Sequence, residues 1–248
     1  MNEKQADGVH FLDARGPENM RLYAIGDVHG RLDLLEKMQA RIRDEIERDK
    51  PADWRVIHLG DYVDRGPQSR EVIELLMAAC ARESRFVALA GNHDHGLIEF
   101  LAEPSMHGLF MDNGGIETAA SYGVAFRSYQ TLGRFHADLL AAVPREHIRF
   151  ILSRRFNIAF GDFYFCHAGI RPGVALDHQV PDDLIWIRNE FLRFPGLHPK
   201  VIVHGHTITH EPEVLANRVN VDTGAWLSGV LTALVIDGAE KRLLAVGE

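Results

Sequence analysis

The chain has 248 residues, 46% of them hydrophobic and 25% charged, proportions that suit one large buried core and exclude disorder, collagen or coiled coil as a description of the whole chain. Its 35 acidic and 27 basic residues leave a formal charge of −8, which argues against nucleic acid as a partner held by broad phosphate neutralisation. Cysteine occurs only at Cys80 and Cys166, so neither a disulfide framework nor a cysteine-based zinc site is implied. No stretch approaches the roughly 18–20 apolar residues that cross a membrane, and the first twenty residues lack the apolar core of a signal peptide. The expectation is a soluble cytoplasmic chain with no membrane partner.

Residues 1–19 hold Gly8, Gly16 and Pro17 and show no period, so they are expected to form a loosely held polar lead-in to a single domain over 20–248. The apolar run Leu22-Tyr23-Ala24-Ile25 stops at Gly26 and predicts a strand. From Leu32, the residues Leu35, Met38, Ile42 and Ile46 recur three or four apart until Pro51 and predict an amphipathic helix. The unit repeats with a strand at 56–59, a loop rich in glycine and aspartate at 60–68, and a helix from Ser69 to about Arg82. A third strand at 86–89 leads through Gly91 to a helix expected from about His95 to Leu101. Strands alternating with helices pair in parallel with right-handed crossovers, which places the loops after the strands along one edge. The stretch 115–153 reads as helical. Beyond it come short β-rich pieces at 157–160, 163–166, 200–203, 218–221, 229–236 and 241–246, all expected in a second sheet. No Pro/Gly/Ser-rich linker separates the halves, so the expected fold class is α/β, with two sheets packed as one domain.

Each predicted strand end carries metal-ligand or phosphate-binding residue types. The blocks are Gly26-Asp27-Val28-His29-Gly30, Gly60-Asp61-Tyr62-Val63-Asp64-Arg65-Gly66, Gly91-Asn92-His93-Asp94, Cys166-His167-Ala168-Gly169 and His204-Gly205-His206-Thr207. Asp27 and His29 are two apart, so an extended strand end would aim both at one ion. Asp61, with two carboxylate oxygens, can bridge that ion to a second. Asn92, His167 and His206 offer a mixed oxygen and nitrogen set suited to manganese, iron or zinc rather than calcium or magnesium. Two divalent ions, set against Asp27, Asp61 and a hydroxide, leave a net charge of about +1, which attracts phosphate. Taken singly, each of these residues has an ordinary use as a helix cap, a turn residue or a hydrogen-bonded loop histidine.

The five blocks in this order resemble the metallophosphoesterases, specifically the bacterial and phage branch of the PPP-type phosphoprotein phosphatases, over about residues 22–233. Ile208 stands where many members of the wider superfamily carry a further histidine, which favours the PPP branch, as do Asp64 and Arg65. The resemblance implies a β-sandwich of two mixed sheets flanked by helices, one catalytic domain, and an active site at the strand C-terminal ends. It implies one ion held by Asp27, His29 and Asp61 and a second by Asp61, Asn92, His167 and His206, with Mn2+ foremost and iron or zinc as alternatives. His93 is then the general acid and Asp64 its orienting partner. Arg65, with Arg188 in Leu184-Ile185-Trp186-Ile187-Arg188, binds the phosphate; Asp222 lies near the metal shell; and Asn113-Gly114-Gly115 matches a short stretch of unassigned role. The implied reaction is attack of a metal-bridging hydroxide on phosphorus, in line with a leaving oxygen that His93 protonates.

The resulting expectation is a metal-dependent phosphatase acting on a phosphorylated protein as a serine/threonine protein phosphatase, or on a small phosphoester. Symmetric bis(5'-nucleosyl)-tetraphosphatases use very similar blocks, though their usual pattern tends to be non-acidic at the position of Asp64. A nuclease is disfavoured by the acidic balance and by Ile208. A non-catalytic phosphate-binding module would show eroded ligands, and all six are present. His204 reads as a core or supporting residue and Cys166 as a small buried side chain.

Overall fold

A computed structural model describes residues 8–127 and 129–248; the rest of the expected lead-in, residues 1–7, lies outside the described residues. The alternation in the first strand sets the architecture, because it gives the strand two apolar faces. Along β1 (Met20–Ile25), Leu22 and Ala24 face a second sheet, while Tyr23 and Ile25 face helix α1 (Leu32–Asp49) through its Leu34, Met38 and Ile42. Strands β2 (Asp53–His58) and β3 (Phe86–Ala88) pair with it in parallel, joined by α1 and by α2 (Ser69–Arg82), as the alternation predicts. Lys50, at φ +48°, ends α1 just before Pro51. The next helix, α3 (Asn92–Ala102), starts three residues before the expected His95, so Asn92 and His93 stand in its first turn. The helical middle resolves into α4 (Leu109–Asp112), α5 (Gly115–Ser121), α6 (Leu132–Ala142) and α7 (Arg145–Leu152).

Strands β4 (Asn157–Phe160), β5 (Phe163–Cys166), β6 (Val201–His204), β7 (Glu213–Val214) and β8 (Arg218–Asn220) make the second sheet, in the order β4-β5-β6-β8-β7. Two short helices, α8 (Pro181–Trp186) and α9 (Asn189–Leu192), with the residue that follows α8, cover its outer face through Leu184, Ile187 and Phe191. The last two strands, β9 (Val230–Asp237) and β10 (Glu240–Gly247), correct the expectation that every late strand joins the second sheet. They extend the first, whose order is β10-β9-β1-β2-β3, with β9 antiparallel to β1. The cause is burial on both faces of β9: Leu231, Ala233 and Val235 pack toward α1, and Leu234 and Ile236 into the sandwich. Such a strand needs neighbours on both sides, and the open edge of β1 supplies one. Each sheet is therefore mixed, with helices on the outer faces, and the α/β sandwich is as expected.

Residues 8–19 are not loose. Val9 donates to His198 O and Phe11 to Ala216 O, Gly16 donates to Gly238 O, and Ala14 is buried between the sheets. Among the described residues, no helix is long and apolar enough to cross a membrane.

The sandwich core of Leu22, Ile57, Phe163, Phe165, Val203 and Leu234 is what holds the two strand-end edges in register. Phe165→Ala is expected to lower stability by about 3–5 kcal/mol, measured by urea unfolding. A loss below about 1 kcal/mol would show that the sheet interface is not the cohesive core.

Candidate functional site

The parallel strands of both sheets end at one edge, and their loops interlock there. Gly205 N–H donates to His167 O at 2.8 Å, His206 N–H reaches the Asp27 carboxylate at 3.1 and 3.3 Å, and Val28 and His29 N–H both donate to Asp61 O at 3.2 and 2.9 Å. His29 has φ +43°, so strand alternation is not what aims it; the shared Asp61 carbonyl is. His29, Asp61, Asp64, Arg65 and His206 all take left-handed φ values between 43° and 71°, each costing about 1–3 kcal/mol where no glycine relieves it. Tight packing imposes these turns. A Cβ on Gly205 would lie 2.1 Å from Asp27 Oδ1, and one on Gly91 2.2 Å from Asp61 N.

Asp61 is the centre of the arrangement. Its Oδ1 accepts from His93 N–H at 2.9 Å, at the start of α3. Its Oδ2 stands 3.5 Å from His29 Nε2 and 3.4 Å from His167 Nε2. Each of those imidazoles spends its other nitrogen on a backbone carbonyl: His29 Nδ1–H on Val63 O at 2.7 Å and His167 Nδ1–H on Leu59 O at 3.2 Å. Both Nε2 lone pairs therefore point inward, as metal-ligating imidazoles do. Asn92 Oδ1 lies 2.8 Å from His167 Nε2 and 2.9 Å from His206 Nδ1, and those two nitrogens are 3.2 Å apart. A carbonyl oxygen, a carboxylate oxygen and a deprotonated ring nitrogen have no hydrogen to share, so this set fits a cation. Two groups have ligand atoms within 4.8 Å of one another: His29 with Asp61 and His93, and Asp61 with His167 and His206. The first differs from the expected trio. Asp27 is drawn onto the His206 backbone and stands 3.9 Å from His167 Nδ1, on the side where the two sheets meet.

The electrostatics call for positive charge. Burial pushes the Asp27 carboxyl well above the usual carboxylate range, and the nearby Asp222 and Asp61 push it further. Burial would also raise Asp61, but the charges of His167, His93 and His29 outweigh it and hold that carboxyl well below. His167 is raised because Asp61 offsets its burial. Burial carries His29 down to about 3 and, with help from the charge of His167, His206 down to about 2. The carboxyls and imidazoles are thus pushed in opposite directions, Asp61 held low with His167 raised beside it, and Asp27 raised while His29 and His206 are lowered; groups of these types give up their protons when they take a metal ion.

Around this centre, His93 Nδ1–H donates to Asp64 Oδ2 at 2.7 Å. Asp64 is fully buried, and burial raises its carboxyl. Arg65 reaches both sides of the centre, donating to His29 Nε2 at 3.1 Å and to His93 Nε2 at 3.0 Å. Arg188 is exposed and only touches the rim, at 3.4 Å from Thr207 Oγ1 and from His206 O. Asp222 Oδ1 accepts from Gly224 N–H at 2.9 Å and shapes the turn after β8. His204 packs edge-on against Phe191, away from the ligand set, and buried Cys166 Sγ–H donates to Gly169 O at 3.3 Å.

Residues 20–228 match the sequence profile of the calcineurin-like phosphoesterases. The chain belongs to that family. It is thus a hydrolase of phosphate esters, in a family that uses divalent metals, and its two groups of His and Asp side chains are of the kind that holds them. It is 28% identical over 229 residues to a bis(5'-nucleosyl)-tetraphosphatase PrpE (asymmetrical) from Anoxybacillus flavithermus, covering 85% of this chain and 88% of that one. A Geobacillus protein of the same name is 27% identical over 234 residues, covering 86% and 89%. In fold, a protein serine/threonine phosphatase from Saccharomyces cerevisiae superposes with a TM-score of 0.53 at 14% identity, over 96% of this chain and 85% of that one.

Two residues that shape this phosphoesterase centre escaped the sequence reading. Asp94 accepts from the N–H groups of Asp61, Tyr62 and Gly91 at 2.9, 2.9 and 3.2 Å, binding the second loop to the start of α3. An acidic residue in the third position of a helix is a cap signal that marks it in the sequence. Thr118 Oγ1–H donates to Asp64 Oδ1 at 2.7 Å and also accepts from Asp64 N–H at 2.8 Å; it lies 54 residues away and carries no local signal. Thr118→Val should destabilise the protein by about 1–3 kcal/mol by taking the donor from buried Asp64 Oδ1, the Asp64 N–H keeping Ser69 Oγ at 3.1 Å, read by thermal or urea unfolding. An unchanged midpoint would show that Asp64 finds another donor.

Proposed function

We propose that the chain is a two-metal hydrolase that cleaves dinucleoside tetraphosphates. The observation that carries the two-metal part is the position of Asp61 Oδ2 between His29 Nε2 and His167 Nε2, one imidazole for each site. Asp27, His29 and Asp61 would hold one ion, and Asp61, Asn92, His167 and His206 the other, with manganese first among the candidates for this ligand set. When bound, such ions supply Lewis acidity and an activated water. The substrate part is supported by the likeness to the tetraphosphatases over 85% of the chain. Their names specify the asymmetrical reaction, not the symmetric one weighed from sequence.

The side chains divide the remaining work. The Arg65 guanidinium, reaching between His29 and His93, is placed to grip phosphate oxygens, with Arg188 at the rim as a second donor. Asp64 fixes the His93 ring through Nδ1, leaving Nε2 as the atom that carries a proton to the leaving oxygen.

That buried pair favours a second reading, a serine/threonine protein phosphatase. A serine or threonine alkoxide is a poor leaving group and depends on a held acid, whereas a nucleotide phosphate leaves readily. The two readings separate by kcat/KM on diadenosine tetraphosphate and on phosphoserine peptides. The first expects the dinucleotide to be preferred by at least tenfold; the opposite preference overturns it and installs the second. On alkyl phosphates, Asp64→Ala should cost roughly 10²-fold or more in kcat, at the low end of what general acid catalysis supplies, while largely sparing dinucleotide cleavage.

The metal assignment has its own test. Elemental analysis of the purified protein should find two transition ions per chain, and Asp61→Asn should weaken both sites together. An active preparation holding one ion or none would overturn the dinuclear reading.

A further inference from the structure

A groove of about 360 Å³ opens beside the candidate centre, and neither the phosphate clamp nor the metal ligands account for its walls. Arg65 forms its inner end. Its polar lining is the junction of α4 and α5, with Asp112 at the end of α4, Asn113 in the turn and Glu117 in the first turn of α5; its apolar lining is Ile208 and Trp226. The Trp226 ring carries the Arg65 guanidinium 5.2 Å from its centroid, so the apolar wall and the phosphate clamp are physically continuous. Ile208 lies against Gly224, where an added Cβ would meet its Cγ2 at 3.0 Å, and it is 42% exposed.

The charges of this groove are unusual for a polyanion site. Asp112 and Glu117 stand next to a phosphate-gripping arginine, and neither forms an ion pair among the described residues. Among the described residues, the Asp112 carboxylate accepts from Gly108 N–H alone, at 3.1 Å. Carboxylates there repel a phosphate chain but accept hydrogen bonds from hydroxyl or amine donors. A ligand that leaves phosphate oxygens on Arg65, lays a flat apolar ring against Trp226 and Ile208, and turns hydroxyls or amines to the polar lining is a nucleoside 5'-phosphate. We propose that this groove is the nucleoside subsite of the centre, with Trp226 and Ile208 receiving the base and the wall of Asp112, Asn113 and Glu117 receiving the ribose or base donors. The inference rests on the dinucleotide reading above and assigns that substrate's terminal nucleoside to a place on the protein.

The test is calorimetric titration of the manganese-loaded protein with adenosine 5'-monophosphate and, separately, with inorganic phosphate. Base–aromatic contacts contribute about 1–3 kcal/mol each, so the nucleotide should bind at least about fivefold tighter than phosphate. Trp226→Ala and Ile208→Ser should each remove most of that advantage while leaving the affinity for phosphate within about twofold. Ile208 is half-exposed, so its variant reports on the groove even if Trp226→Ala fails to fold. Equal affinities in the wild type would overturn the proposal, as would variants that weaken phosphate and nucleotide alike, since the wall would then serve only to support Arg65. Tighter binding of an arginine-containing phosphoserine peptide than of the nucleotide, lost in Glu117→Gln, would also overturn it, assigning the acidic wall to a basic peptide. If the nucleotide advantage and its loss in the variants are found but diadenosine tetraphosphate is not cleaved, the subsite stands and only the substrate reading fails.

Discussion

Keeping Asp61 ionised while it is 1% exposed is the constraint on which the rest of this centre depends. A lone buried carboxylate would take up a proton. Here the backbone N–H of His93 donates to one oxygen at the start of α3, where the helix dipole also favours negative charge, and two imidazoles face the other. The support is itself supported. Asp94 holds the Asp61 and Tyr62 amides, so the left-handed turn at Asp61 cannot relax without breaking the cap of α3. Strain, capping and charge are thus one device, and a buried ionised carboxylate between two imidazoles is its product.

The same constraint explains why two sheets are needed. Sheet one contributes Asp27, His29, Asp61 and the loop that leads to Asn92; sheet two contributes His167 and His206. Neither half presents enough donors to complete a second set without the other. The contact between His206 N–H and the Asp27 carboxylate joins the two edges directly, at the point where Gly205 leaves no room for a side chain. Site formation is therefore coupled to closing the sandwich, and a cation bound at this seam stabilises the folded state over the unfolded chain, in which the ligands are far apart.

Much of this was legible in the sequence, and the failures have physical reasons. The parallel pairing of β1, β2 and β3 followed from alternating strand and helix, and the convergence of the loops followed from that pairing. The five blocks named the residues that the structure brings to one edge. The sheet membership of β9 and β10 was not legible, because a strand buried on both faces reads only as an apolar run, and its partner is set by which edge is open. His29 does face the centre, but the reason read from sequence, strand alternation after Asp27, does not apply to a residue in a turn with φ +43°, and Asp27 is not grouped with it. Thr118 was invisible because its role exists only through a contact 54 residues away along the chain. Long-range hydrogen bonds of that kind leave no local periodicity.

Arg65 shows how the pieces constrain one another. Its guanidinium has donors only, and it gives one of them to His93 Nε2. That bond occupies Nε2, the same atom that the proposed reading assigns to the leaving oxygen. A phosphate group offers the same guanidinium charged acceptors in a bidentate geometry, which is a stronger partner than a neutral ring nitrogen. On the proposed reading, a phosphate and His93 Nε2 therefore compete for one guanidinium, while Asp64 keeps the ring in place through Nδ1. With either partner the residue is anchored twice: Arg65 N–H is bound to Gly114 O at 3.1 Å, and its guanidinium lies 5.2 Å from the centroid of the Trp226 ring.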